Sequence, residues 1–179
     1  MTVMDTKNLS GENHLATLEW PVVRNVLASG FTQAPETGGP SRHTCWLATV
    51  NADGSPHVTG VGSLWLDGTY WFVSGDGTRK GRNLARDPRC SISVAVGDYD
   101  IVVEGVAERV TDPAVVAARV ADYNEDGWPC FVDGTGSGID APFMAASAGP
   151  APWYFHRLEL RSATAMLCTE PGGVTRWDF

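Results

Sequence analysis

The chain has 179 residues and a formal charge of −8, from 13 basic and 21 acidic side chains. That length suits a single domain with a sizeable core, here taken as residues 1–179. The acidic balance argues against a general nucleic-acid or membrane-surface role, and no stretch approaches the apolar length of a membrane span.

Residues 1–12 are polar and lack the apolar middle of a signal peptide, which implies a cytoplasmic protein. The cysteines, Cys45, Cys90, Cys130 and Cys168, show no CxxC or CxxH spacing, and His14, His43, His57 and His156 are scattered, so no metal site is expected. Cys45, Cys90 and Cys168 fall in apolar strand patterns and read as small core residues.

Residues 15–29 read as a helix, with Leu18, Val22, Val23, Val26 and Leu27 at helical spacing and Pro21 near the start. A Pro/Gly/Thr-rich loop at 31–40 completes an N-terminal unit of residues 1–40. The period then changes. Residues 43–50 predict a strand and Asn51-Ala52-Asp53-Gly54 a hairpin, with a return strand over 56–66 that contains Gly60 and Gly62. Asp67-Gly68 signals a second hairpin into a strand at 69–74. Asp87-Pro88 stops a short helix, and 89–96 alternates cleanly, with Cys90, Ile92, Val94 and Val96 on one face. Gly97-Asp98 turns the chain into a strand at 101–110, and Asp112-Pro113 opens a helix over 114–123. Residues 124–152 form a long loop laid over the barrel. It is rich in Gly, Pro, Ala and Ser but carries Trp128, Phe131, Phe143 and Met144. Residues 153–160, 163–169 and 174–179 predict the last strands. Strands joined by tight hairpins imply a mainly β fold with flanking helices, an antiparallel sheet closed into a small barrel.

The segment Ser74-Gly75-Asp76-Gly77-Thr78-Arg79-Lys80-Gly81-Arg82-Asn83 closes one strand and opens a helix. Helix N-termini favour anions, because their unpaired N–H groups and the macrodipole make that end positive. Arg79, Lys80 and Arg82 are therefore unfavourable there unless an anion joins them, and with the Thr78 cap they make a phosphate socket. A solvated basic face is the alternative reading. The apolar and aromatic side chains on both faces of 65–73 suit a buried interface in a twofold homodimer.

Three motifs, in order, resemble the FMN-binding split β-barrel superfamily of pyridoxamine 5′-phosphate oxidase-like proteins. They are Leu47-Ala48-Thr49-Val50-Asn51-Ala52-Asp53-Gly54-Ser55-Pro56-His57-Val58, Thr78-Arg79-Lys80-Gly81-Arg82-Asn83-Leu84-Ala85-Arg86-Asp87-Pro88-Arg89, and Val103-Glu104-Gly105-Val106-Ala107-Glu108. The resemblance implies an antiparallel split β-barrel and a homodimer with cofactors at the subunit interface. It places the cofactor phosphate on Thr78, Arg79, Lys80, Arg82 and Asn83, and the ring against the strand bearing His57, Thr59 and Val61. The Lys-x-Arg-Asn-Leu and Ser-Pro-His-Val pieces look most like the branch using the deazaflavin coenzyme F-420, with FMN the competing cofactor. The paired Arg and Lys signature of a true pyridoxamine phosphate oxidase is not found. The implied activity is hydride transfer between the cofactor and a small organic substrate. A non-catalytic cofactor carrier or sensor, or a haem-binding split barrel, are the alternatives. The ring carries such chemistry itself, so no catalytic triad is required; His57, His156, Tyr123 and Tyr154 are the candidate proton donors.

Overall fold

The computed structural model describes residues 2–29, 43–143 and 147–179. The loop expected at 31–40 and the role expected of Met144 fall outside the described residues. The strands are β1 (Asp5–Asn8), β2 (Cys45–Val50), β3 (Pro56–Val61), β4 (Ser63–Leu66), β5 (Thr69–Gly75), β6 (Arg89–Val96), β7 (Tyr99–Arg109), β8 (Phe131–Val132), β9 (Ile139–Asp140), β10 (Trp153–Leu167) and β11 (Gly173–Asp178). The helices are α1 (Trp20–Ala28), α2 (Arg79–Arg86) and α3 (Pro113–Glu125). Among the described residues no helix is long and apolar enough to cross a membrane.

The strands form one sheet in the order β1-β11-β10-β7-β6-β2-β3, with β5 and β4 branching from β10, and every pairing is antiparallel. This is a split β-barrel, with three α-helices among the described residues. Strand β10 makes the split. On one side it follows β7 along nearly its whole length, while on the other its first residues pair with β5 and its last with β11. The sequence reads as two strands here, but the structure runs them together across a bulge between Leu160 and Ser162. Ser162 Oγ donates to Glu104 Oε2 at 2.7 Å, and Arg176 donates to the same carboxylate at 2.8 Å and to Ser162 Oγ at 2.8 Å. Opposite the bulge, a Cβ on Gly105 would sit 2.0 Å from the Glu159 carbonyl oxygen, so only glycine fits.

The hairpin signals are in place. Asp67 and Gly68 both have positive φ, 55° and 78°, as a two-residue β4–β5 turn requires. The expected single return strand divides at Gly62, where a Cβ would meet the Trp128 indole at 2.7 Å. Helix α1 begins five residues later than periodicity suggests. Pro21 lacks an N–H and fits only the first turn, and before it the Leu18 N–H is held by Thr175 Oγ1 at 2.9 Å. Strand β1, absent from the sequence reading, is a short polar edge lying on β11.

Two cores flank β5. Tyr70 and Phe72 face the barrel interior with Leu47, Ile92, Val103, Leu158 and Trp177. Trp71 points the other way, into a second cluster with Val116 and Tyr123 of α3, Ile139, Trp153 and Phe155. Tyr70, Trp71 and Phe72 are thus covered within one chain, by the barrel on one side and the α3 cluster on the other, while Trp65, Leu66 and Val73 stay half-buried. Cys45 is buried as expected and Cys90 half-buried, but Cys168 is exposed, because β10 ends at Leu167 and the chain turns outward. Burial raises the Cys45 and Cys90 thiols to about 11 and about 12, which leaves both protonated and unreactive.

Replacing Gly105 by Ala should force the β7–β10 ladder apart locally. We expect a loss of about 1–3 kcal/mol, read as a lower urea midpoint with an unchanged slope.

Candidate anion-binding site at the start of α2

Strand β5 delivers the chain to Gly75, and Asp76-Gly77 turns it into α2. Thr78 is the N-cap. Its Oγ1 accepts from Gly81 N–H at 3.0 Å and donates to the Gly75 carbonyl at 2.8 Å. Gly81 lies against that turn so closely that a Cβ would stand 2.4 Å from the Gly75 oxygen. No acidic side chain occupies the first helical turn. Arg79 is exposed, and Arg82 curls back so that its Nη1 donates to the Gly77 carbonyl. The Arg82 guanidinium and the open side of Gly77, where nothing lies within 4 Å, therefore stand at the positive end of the helix, with Arg79 exposed at its first position.

The back of the helix is clasped to the β2–β3 hairpin. Asn83 is buried, and its amide donates to Thr49 Oγ1 at 3.0 Å and to Asn51 Oδ1 at 3.1 Å. Arg86 Nη2 donates to the Val50 carbonyl. Asn83 thus uses its N–H groups on the hairpin, away from the open face. The clasp brings His57 beside the helix start. Partial burial, then the charges of Arg79 and Lys80, hold the His57 imidazole below its ordinary value. Thr59 is half-buried on the same strand, whereas the Val61 side chain is in the barrel core and leaves only its backbone to a ligand. Among the described residues β3 pairs with β2 alone, so its far side offers unpaired backbone groups.

Lys80 departs from the other cations. It is 2 % exposed, and its ammonium donates to the Ser147 carbonyl. Burial lowers its pKa to about 8. The sequence carries no signal that a carbonyl 67 residues away would receive Lys80. Also unforeseen is the Arg109 guanidinium, which lies 3.3 Å over the Tyr154 ring and pairs with Asp76 at 3.2 Å.

Two of the other candidate proton donors, Tyr123 and His156, are engaged. The Tyr123 hydroxyl is buried and donates to the Trp71 carbonyl at 2.9 Å. The His156 ring stacks on Phe72 at 5.2 Å, and its Nδ1 lies 3.1 Å from the Tyr154 carbonyl. Burial, above all, lowers its pKa to about 4. In the 124–152 segment, Trp128, Phe143 and Trp153 form a row with ring centroids 6.2 and 6.3 Å apart, while Phe131 stands exposed.

A family model described as pyridoxamine 5′-phosphate oxidase matches residues 31–137, and the chain belongs to that family. Among solved structures, a haem-binding protein from Mycobacterium smegmatis aligns at TM-score 0.59 and 19% identity over 89% of this chain, which spans 59% of that protein. A conserved hypothetical protein from Mycobacterium tuberculosis aligns at TM-score 0.55 and 22% identity, over 90% of this chain and 86% of the other. A pyridoxamine 5′-phosphate oxidase-related, FMN-binding protein from Nostoc punctiforme aligns at TM-score 0.51 and 17% identity, over 73% and 78%. These likenesses establish the shared fold. No curated protein sequence matches the chain.

Because the His156 pKa falls from 6.5 to about 4 on folding, the unfolded chain binds the extra proton between those values. Stability should therefore decline as pH drops through that window. His156→Gln should flatten this part of the stability–pH curve, measured by urea unfolding at stepped pH.

Proposed function

We propose that the chain is a flavin-type oxidoreductase that holds FMN or the deazaflavin coenzyme F-420 and passes hydride between that cofactor and a small organic substrate. The observation that carries this reading is the acid-free start of α2, where Arg79 stands exposed at the first helical position and Arg82 folds back on Gly77 beside the Thr78 cap. Its donor chemistry fits a phosphate: two planar guanidinium groups and helix-end N–H groups, with no carboxylate in the first turn. The open edge of β3, from His57 through Thr59, lies beside this socket and fits the polar rim of a flat heterocycle. The FMN-binding description of the Nostoc protein agrees with it. The ring supplies the redox chemistry when bound, and this chain's part is to bind the phosphate, orient the ring and exclude water. His57, half-buried and held neutral by its surroundings, is the side chain placed to exchange a proton there.

The outer face of the sheet fits a homodimer. Trp46 is 50 % and Val58 56 % exposed on β2 and β3, with Val102 exposed on β7 across Ser93 of β6. Sedimentation at micromolar concentration should report a dimer, and Trp46→Glu should shift it towards monomer. A wild-type monomer throughout would overturn the assembly.

The cofactor is tested by titrating the protein with FMN and F-420 separately, following absorbance. Arg79→Ala with Arg82→Ala should weaken the preferred cofactor about ten- to a hundred-fold while leaving the empty protein's unfolding midpoint unchanged. Equal affinity in wild type and double variant would remove the socket. Tight binding with no acceptor ever reduced would instead favour a cofactor carrier.

A further inference from the structure

The turn from β5 into α2 carries a negative charge of its own. Between Asp67 and Asp87 the chain has a single acidic side chain, Asp76. It lies in the turn that the Thr78 N–H closes on the Gly75 carbonyl at 3.1 Å. That turn packs closely on the helix, since a Cβ on Gly81 would stand 3.2 Å from the Asp76 Cα. The next residue, Gly77, offers the carbonyl that Arg82 holds. A bare carboxylate in this place would oppose the helix end and its guanidinium groups, because like charges a few ångströms apart repel.

Arg109 meets that carboxylate from a distant strand. It ends β7, opposite His156 of β10. Its Nη1 donates to both Asp76 oxygens, each at 3.2 Å. Its guanidinium lies 3.3 Å over the Tyr154 ring of β10. An exposed ion pair usually gains little, since ordering two mobile side chains offsets the attraction. Here the fold orders both partners beforehand: a closed turn carries Asp76, and an aromatic face supports Arg109.

We propose that Arg109 is a positioning residue for anion binding at the start of α2, acting through Asp76, whose carboxylate it neutralises. This role rests on the socket reading for Arg79 and Arg82. It adds a condition to that reading: the turn's own charge is cancelled by a cation 33 residues away.

The test is a double-variant cycle on the full chain, titrated with FMN and with F-420 and read with whichever the wild type binds. At low ionic strength Arg109→Ala should weaken binding about three- to tenfold, as one unmasked charge near a partly solvated site would. Asp76→Asn should bind at least as tightly as wild type. In the Asp76→Asn background, Arg109→Ala should cost less than about twofold, because no carboxylate is left to neutralise. These differences should fade in about 1 M salt, where the Debye length is about 3 Å. No loss in Arg109→Ala, or a loss of equal size in both backgrounds, overturns the role. A merely structural tie is broken by either variant, so Asp76→Asn would then weaken binding as Arg109→Ala does, and that result overturns it too. If Arg109→Ala does not fold, Arg109→Gln takes its place in the cycle. A flat cycle beside a loss of about tenfold or more in Arg79→Ala with Arg82→Ala leaves the socket standing and overturns only the role of Arg109. If neither cofactor binds, or that pair of variants loses nothing, the socket reading falls and the role of Arg109 falls with it.

Discussion

The fold depends on the close contact of β7 and β10. Strand β10 is the element at which the sheet divides, pairing with β5 and then β11 on one side and with β7 from His156 to Leu167 on the other. Changing partners on one edge without losing the other needs a local change of twist, which the bulge at Leu160 and Ser162 supplies. The bulge is tolerated because Gly105 lets the Glu159 carbonyl approach the β7 backbone and because Glu104, Ser162 and Arg176 close over it. With the split in that position, β5 ends at the rim of the barrel, where α2 can begin with its N-terminus free.

Helix α2 is short, eight residues, and its own sequence is poor in apolar side chains. Its stability comes from tertiary ties: Leu84 in the barrel core, Asn83 and Arg86 on the β2–β3 hairpin, Lys80 on the Ser147 carbonyl. These ties occupy every side of the helix except the one bearing Arg79 and Arg82. A site made in this way is preorganised: an arriving anion would not need to order the backbone that receives it.

The parts legible from sequence are those decided locally. The Asp53-Gly54 and Asp67-Gly68 turns, the alternation of Arg89–Val96 and the Thr78 cap all depend on neighbouring residues, and the structure has each where its chemistry places it. What sequence conceals is set by distant partners. The continuity of β10 through Ser162 depends on β7, and the burial of Lys80 on a backbone carbonyl, which has no side-chain signature. The orientation of Asn83 depends on Thr49, 34 residues earlier. The apolar run from Trp65 to Val73 shows the limit most clearly. Alternating apolar side chains predict that both faces are covered, but cannot distinguish a second core within the chain from another subunit.

The open side of β3 has a consequence for solubility. A strand with unpaired N–H and C=O groups along one side is a template on which another extended chain can add. Pro56, at its first position, removes one donor, and the half-buried His57 makes that end less apolar. Beyond them Val58 is exposed beside Trp46, with no charged side chain between Val58 and Val61. A chain that has lost whatever covers this edge exposes a sticky surface even while fully folded. Its hazard is then ordered edge-to-edge association of native molecules, the kind of aggregation that strengthening the core does not prevent.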